Sequence, residues 1–189
     1  RHGVRRQRQM CIRDSFTGVA GGLDPSLSVG DVVIGERTIQ HDAGVMANNG
    51  IEVHQAGHIP FFNPTDALGY QPSEGLLAAA KAAADETRFD EVLGRAPSIV
   101  SGTILTGDQF LDDAATRDRL FARFGARAVE MEGAAVAQVA ERFGVDCLVV
   151  RALSDLAGGN ADVDFNAYFP RVAANSARLV RSLLARLAV

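Results

Sequence analysis

Two hydrophobic periodicities alternate along residues 16–189. Short, nearly continuous apolar runs predict strands at 16–23, 29–36, 98–107, 126–131 and 146–153. Apolar residues at helical spacing, or alanine-rich stretches between start and stop signals, predict helices at 73–87, 112–124, 133–143 and 165–188. Because strands and helices alternate, we predict an α/β fold: a three-layer αβα domain with a mostly parallel or mixed central sheet.

Glycine and proline residues further define the ends of the predicted helices. Gly125 and Gly144 follow two of the predicted helices and are expected to end them. Pro170 is expected to interrupt the last helix near its start. Residues 41–72 have no clear period and are rich in Gly, Asn, Pro and aromatic residues, so we predict a long loop that acts as a lid or a contact surface.

The first 15 residues differ sharply in composition from the rest. They carry five arginines and a single aspartate, so that the net charge of −4 for the whole chain leaves −8 for the remainder. A basic arm that binds RNA or membrane is one interpretation. The one we favour is a non-native or disordered tail, similar to translated adapter sequence. We therefore predict one domain at 16–189, the C-terminal part of a longer domain whose first strands are missing.

Composition narrows the class of protein. No apolar run is long enough to span a bilayer and no signal-peptide pattern is present, so we expect a cytoplasmic protein without a membrane partner. The folded region shows no basic face of the kind that binds nucleic acid. Of the two cysteines, Cys147 lies in an apolar run, and a free buried thiol is favoured over a disulfide with Cys11.

Two strand ends carry the candidate chemistry. Arg151 interrupts the apolar strand 146–153, and a buried guanidinium needs a carboxylate, for which Glu130 and Glu132 on a neighbouring strand are the candidates. From the residues alone, a structural ion pair and a catalytic one are equally supported. Ser154 and Asp155 end the same strand, the position where open α/β sheets bind ligands. As single residues, Asp155 is also explained by capping and Glu132 by a helix dipole.

Other motifs are weaker. The glycine-rich stretch 18–22 offers backbone N–H groups to an anion or a water, but it has neither dinucleotide-binding nor P-loop spacing. The four histidines lack metal-ligand spacing, and we predict no metal and no cofactor. No nucleophile elbow is present, so a hydrolase would work through carboxylates and a bound water.

Six motifs in register resemble 5′-methylthioadenosine/S-adenosylhomocysteine nucleosidases, of the purine nucleoside phosphorylase superfamily. They are 17–23 with 29–33, Gln40–Ala43, Thr106–Leu111, Val129–Glu132 and Ser154–Ala157, and the resemblance extends over 16–189. It implies a nucleoside phosphorylase-like fold and hydrolysis of the N-glycosidic bond of an adenine nucleoside. It also implies a homodimer.

The resemblance implies roles for particular residues. Asp155, oriented by Ser154, protonates or hydrogen-bonds the purine N7, and Glu132 accepts hydrogen bonds from the ribose hydroxyls. Glu130 supports Arg151, which ties the carboxylates to the water network. Met131 would pack on the ribose, and Phe110, Leu111 and Phe165 would contact the purine. Val19, Ala20 and Gly21 would border the attacking water. Phe61 and Phe62 would cover the 5′ tail of the ligand bound to the partner subunit.

One feature of the family is absent from this sequence. Members begin with a strand and a loop that carries a water-activating glutamate, and nothing before residue 16 matches it. We therefore expect the chain to bind the purine nucleoside but to turn it over poorly. The alternatives are a phosphorylase of the same superfamily, a futalosine-type nucleosidase, and a non-catalytic nucleoside-binding or storage protein.

Overall fold

A mixed sheet forms the centre of the protein. The structure, a computed structural model, describes residues 13–48, 50–158 and 161–188. Its strands are β1 (Arg13–Gly22), β2 (Val32–Gln40), β3 (Gly44–Ala47), β4 (Gly50–Val53), β5 (Ile99–Thr106), β6 (Ala128–Glu130) and β7 (Asp146–Asp155). Its helices are α1 (Glu74–Glu86), α2 (Ala114–Phe124), α3 (Gly133–Arg142) and α4 (Ala161–Leu187). The predicted alternation of strands and helices is confirmed.

The sheet has the order β1-β6-β5-β2-β7 and closes on itself, because β7 also pairs with β1. The β1–β7, β2–β5 and β5–β6 pairs are parallel. The β2–β7 and β1–β6 pairs are antiparallel. The sheet is therefore mixed, as predicted, while its closure was not predicted.

Strand β7 is buried on both faces, which explains its apolar sequence. Leu148, Val150 and Ala152 pack in the same core cluster as α1 and α4. Val149 and Leu153 belong to a second cluster, which includes Val33 and Ile104 of β2 and β5. Since side chains alternate along a strand, Arg151 lies on the same side as Val149 and Leu153, inside the closed sheet.

The helix ends follow their capping residues. The Ser73 hydroxyl accepts a hydrogen bond from the amide of Leu76 (3.2 Å), and the Asp113 carboxylate accepts one from Thr116 (2.7 Å). Gly125 ends α2 in the left-handed conformation, with φ of 58°, as predicted. Pro170 does not end α4, which runs through it from Ala161, four residues before the predicted start. Pro170 is the tenth residue of α4, so it removes one hydrogen bond from the helix interior without ending the helix.

Two other elements differ from expectation. Strand β1 begins at Arg13, whose pairing with Asp146 extends the parallel β1–β7 ladder into the segment predicted to be foreign. Residues 1–12, with Cys11, lie outside the described residues. The predicted loop 41–72 contains an antiparallel hairpin, in which Ala47 pairs with Gly50.

Candidate active site

A buried ion pair joins β6 to β7. Arg151 is only 1% exposed, and its Nη2 and Nε (3.0 Å) both donate to Oε2 of Glu130. The guanidinium also lies over the ring of Phe16, 4.4 Å from its centroid. The predicted partnership of Arg151 with the glutamate pair is confirmed, and an aromatic face covers the cation where water is excluded.

Glu130 is satisfied by more than the arginine. Its oxygens accept hydrogen bonds from the amide of Gly133 (2.8 and 2.9 Å) at the start of α3 and from the hydroxyl of Thr106. That hydroxyl accepts in turn from the amide of Ala134 (2.8 Å). Glu130 thus caps α3 from within the sheet, and its acceptor sites are occupied by protein donors.

Glu132 is in the opposite situation. It occupies the N-cap position of α3 but makes no side-chain capping bond, and 61% of its side chain is exposed. Its Oε2 lies 3.7 Å from Nη2 of Arg151. Glu130 makes the capping bonds to α3, and the Glu132 carboxylate, near a cation and the helix N-terminus whose dipole was considered for it, stays available to a ligand.

Asp155 ends β7 as a buried carboxyl. Its Oδ2 accepts from the Ser154 hydroxyl (2.9 Å), and its Oδ1 accepts from the amide of Ala157 (2.8 Å). Burial raises the pKa of Asp155, and these two hydrogen bonds only partly oppose it, while the charges of Asp164 and Asp112 add to the increase. The Ala157 contact is the local turn bond that the capping interpretation expects. The raised pKa is what a proton donor near neutral pH requires.

The glycine stretch of β1 lies directly against both groups. A Cβ at Gly18 would come 2.8 Å from Nη1 of Arg151, and a Cβ at Gly21 would come 2.8 Å from Oδ1 of Asp155. Ala20 accepts a long bond from the Ser154 hydroxyl (3.4 Å) through its carbonyl. The Val19 side chain packs against the core beneath α1 and α4, so only its backbone faces this edge.

Aromatic side chains lie at the rim. Phe110, on the loop between β5 and α2, is exposed and meets the ring of Phe165 of α4 edge to face, with centroids 6.3 Å apart. Leu111 packs inward beside it, and Met131 is partly exposed next to Glu130. Phe61 and Phe62 are 85% and 80% exposed. An open pair of rings and a thioether is the kind of surface on which a flat heterocycle and a sugar pack.

Arg151 and Asp155 mark two ends of the candidate site. Asp155 lies four positions after Arg151 on β7, which corresponds to about 13 Å between their Cα atoms in an extended strand. Glu132 lies at the Arg151 end and the aromatic rim near the start of α4. A protonated carboxyl at one end and a free carboxylate at the other suit proton donation to a leaving base and stabilisation of positive charge on a sugar.

Sequence reasoning missed several contributors. Thr106 was assigned only to a strand, yet it joins Glu130 to α3. Phe16 was treated as the start of a strand, and Asp42 was quoted as part of a motif without a role. Asp42 Oδ2 accepts from the amide of Asp108 (2.7 Å), on the loop that carries Phe110. A buried threonine looks like any β-branched strand residue, so no sequence signal distinguished it.

The described ranges contain neither a cluster of metal-ligating side chains nor a membrane-spanning helix. No group of three or more His, Cys, Asp or Glu residues there could hold a metal ion. None of the helices described is long and apolar enough to cross a membrane. Cys147 is buried and unpaired, as expected, and burial raises the pKa of its thiol to about 11.

Comparison with known proteins agrees with this geometry. Residues 15–185 match the family model of the phosphorylase superfamily. A 5′-methylthioadenosine/S-adenosylhomocysteine nucleosidase of Mycobacterium bovis is 48% identical over 180 residues, which cover 92% of this chain and 71% of that relative. An aminodeoxyfutalosine nucleosidase of Helicobacter pylori is 36% identical over 169 residues, covering 89% and 66%.

Solved structures show the same similarity. The crystal structure of a 5′-methylthioadenosine/S-adenosylhomocysteine nucleosidase from Colwellia psychrerythraea in complex with adenine superimposes with a TM-score of 0.76 at 35% identity. The superposition covers 93% of this chain and 67% of that chain. The predicted αβα fold of the nucleoside phosphorylase type is confirmed.

Proposed function

The chain belongs to the phosphorylase superfamily, and from that premise we propose that it is a nucleosidase. The reaction is hydrolysis of the N-glycosidic bond of 5′-methylthioadenosine and S-adenosylhomocysteine, with release of adenine. Similarity to nucleosidases named for these substrates supports the reaction. The observation that carries it is the buried Asp155 carboxyl, whose pKa is raised, at the end of β7.

The first step is departure of the base. A protonated Asp155 donates to N7 of the purine, and the pair of electrons of the C1′–N9 bond moves to the base. The hydrogen bond from Ser154 fixes the carboxyl, so that its proton-bearing oxygen keeps one orientation. Because the carboxyl is buried, it is neutral at a higher pH than an exposed aspartate and has a proton to give.

The second step is stabilisation of the sugar. Loss of the base leaves positive charge on C1′ and the ring oxygen, and the exposed Glu132 carboxylate accepts the ribose hydroxyls and opposes that charge. Arg151, held by Glu130, keeps the Glu132 carboxylate near it. Water then adds to C1′ and releases a proton, a step for which we expect a further glutamate beyond those named here.

The purine is held by the rim. Phe110 and Phe165 pack on its faces, the backbone of Leu111 contacts its edge, and Met131 packs on the ribose. The backbone of Val19, Ala20 and Gly21 borders the position of the water, because β1 brings this stretch between Arg151 and Asp155. No step of this scheme calls on a metal or an organic cofactor.

Two candidate substrates differ in their 5′ substituent. The similarity to aminodeoxyfutalosine nucleosidases of Helicobacter pylori favours a second candidate, a 6-amino-6-deoxyfutalosine substrate with the same base chemistry. The two candidates share the Asp155 and Glu132 steps and differ only at the tail.

Because we expect little turnover from this chain alone, the test begins with equilibrium binding. Isothermal titration calorimetry should detect 5′-methylthioadenosine and adenine, and Glu132→Gln should weaken the nucleoside far more than the free base. Asp155→Asn should weaken both ligands. A folded chain, checked by circular dichroism, that binds neither ligand contradicts the proposal.

Product analysis separates hydrolysis from phosphorolysis. Adenine release is measured by chromatography with and without inorganic phosphate, and we expect it to be slow and independent of phosphate. Phosphate-dependent cleavage would indicate the phosphorylase alternative. Release as fast as that of a relative would contradict the expected need for a further glutamate, and binding of both ligands without any cleavage would indicate a storage role.

We also propose that the protein is a cytoplasmic homodimer. The loop that holds Phe61 and Phe62 packs against α3, since a Cβ at Gly57 would come 2.6 Å from the Gln138 amide. On α3 and at its end, Val139 and Phe143 are also largely exposed. An apolar surface of this kind is typical of an interface. Light scattering should give the mass of a dimer, and Phe143→Ser should shift it toward the monomer.

A further inference from the structure

The Gln40–Ala43 motif has no part in the scheme above, although it contacts the purine-binding loop, residues 107–111. Within it, the backbone amide of His41 donates to the carbonyl of Thr106 (2.9 Å), at the end of β5. The His41 ring packs closely against Gly107, the first residue of this loop, because a Cβ at Gly107 would come 2.3 Å from Nε2 of His41. The start of the purine-binding loop is thus held by the end of β2.

Asp42 extends this contact by one residue. Its Oδ2 accepts the backbone amide of Asp108 (2.7 Å), and its Oδ1 accepts the side-chain amide of Gln40 (2.6 Å). Both oxygens are therefore occupied, and the carboxylate is held by Gln40, the last residue of β2. A carboxylate that accepts a backbone N–H makes one of the stronger hydrogen bonds in proteins.

The other bonds of this loop lie at its two ends. Gly107 donates to the carbonyl of Glu130 (3.0 Å), and Asp112 accepts the amide of Ala161 (3.0 Å). The Asp108 amide bond to Asp42 lies two residues before Phe110, and the Asp112 bond lies two residues after it. Phe110 itself is exposed, and its described ring contact is the edge-to-face pair with Phe165.

We propose that Asp42 is a positioning residue for the purine: it sets the loop so that Phe110 and the Leu111 backbone meet the base before the ligand arrives. This inference rests on the proposed function, since it assumes that an adenine ring occupies the rim. Because the loop is ordered before the ligand arrives, less conformational entropy is lost on binding. The contact made by Asp42 should therefore increase the affinity for the base. Asp42 has no part in the proton transfer at Asp155.

The test compares two carboxylates that each accept one backbone amide and one side-chain donor. Asp146 accepts one backbone amide and one hydroxyl, both from Ser73, at the other end of β7. Asp42→Asn and Asp146→Asn each leave one acceptor oxygen where two are needed. Asp42→Asn should weaken binding of adenine and of 5′-methylthioadenosine by the same factor, about tenfold or more, the loss of one hydrogen bond to a charged group. Asp146→Asn should leave both affinities unchanged.

Amide hydrogen exchange provides a readout that a general loss of stability does not produce. In Asp42→Asn, exchange should speed up in the peptide that contains residues 107–111 and stay at the wild-type rate in β7. If Asp42→Asn does not fold, Gln40→Met, which frees the Asp42 carboxylate without removing it, should show the same changes at smaller size.

The outcomes separate the two proposals. Failure of the wild-type chain to bind adenine contradicts the proposed function. If wild type binds adenine and Asp42→Asn binds it equally well, the positioning role is wrong. It is also wrong if Asp42→Asn weakens the nucleoside but not the free base, because the effect would then lie on the ribose or the tail.

Discussion

Replacing Arg151 with methionine is expected to destabilise the chain by about 3 kcal/mol, because it leaves the Glu130 carboxylate buried without its cation. The Glu130 side chain is 2% exposed, so water cannot replace the guanidinium. Removal of one partner of such a pair costs about 3–5 kcal/mol. Glu130 keeps the Gly133 amide and the Thr106 hydroxyl, which places this case near the lower limit. Methionine retains most of the apolar stem, so little packing is lost.

The assay is urea and thermal unfolding, followed by far-ultraviolet circular dichroism because the chain contains no tryptophan. For a domain of this size, about 3 kcal/mol corresponds to a fall in Tm of roughly 6–12 °C. Arg178→Met is the matched control. Its guanidinium lies 2.6 Å from Asp90, but both side chains are solvent-accessible, so the unfolding midpoint should barely change.

A double-mutant cycle separates the ion pair from other effects of the substitution. Glu130→Gln removes the unpaired charge, so the Arg151→Met/Glu130→Gln variant should recover at least about 1 kcal/mol relative to the sum of the single variants. Additive losses, or an Arg151→Met variant as stable as Arg178→Met, would refute the reasoning. If the double variant recovers stability but not nucleoside affinity, Arg151 has a role in the site besides the ion pair. This result would decide between the structural and the catalytic interpretation of the pair, which the sequence alone supported equally.

Three further predictions concern single residues. Asp155→Asn should be more stable than wild type at pH 7, and the difference should shrink as the pH falls toward 4. Burial raises the folded-state pKa of Asp155, so the wild-type chain loses stability as the pH rises through that window. A difference in unfolding free energy that stays constant with pH would contradict this. Cys147, with a thiol pKa of about 11, should resist iodoacetamide at pH 8 in the native chain and react in urea, as read by peptide mass mapping; equal rates would show that it is accessible. Gly21→Ala should abolish adenine binding with a modest change in Tm, because its Cβ would lie 2.8 Å from the Asp155 carboxyl; unchanged affinity would show that the carboxyl can move aside.

The main features of the fold and of the site were predictable where one residue broke a strong pattern. Arg151 in an otherwise apolar strand required a carboxylate, and Glu130 supplies it. Asp155 stood at a strand end, and the structure buries it there. The position of an unusual residue within a regular element is local information, so a single sequence contains it.

Contacts that depend on strand pairing were not predictable. Closure of the sheet follows from the register of β1 on β7, which sets Gly18 beside Arg151, and no local pattern specifies that register. The β3–β4 hairpin was missed because its strands are four residues long and largely exposed, so they lack the apolar alternation of a buried strand. Asp42 and Asp108 are 66 residues apart, and only the fold shows that they meet.

The three carboxylates of the site differ mainly in what surrounds them, and this difference assigns their tasks. Glu130 faces a guanidinium, a hydroxyl and the amide of Gly133, so it has little capacity left for a ligand. Glu132 lies in solvent near the same cation and can exchange water for ribose hydroxyls at low cost. Asp155 is buried with only two donors and no cation bonded to it, which is why its pKa rises and why, of the three, it is the one suited to hold a proton for the base.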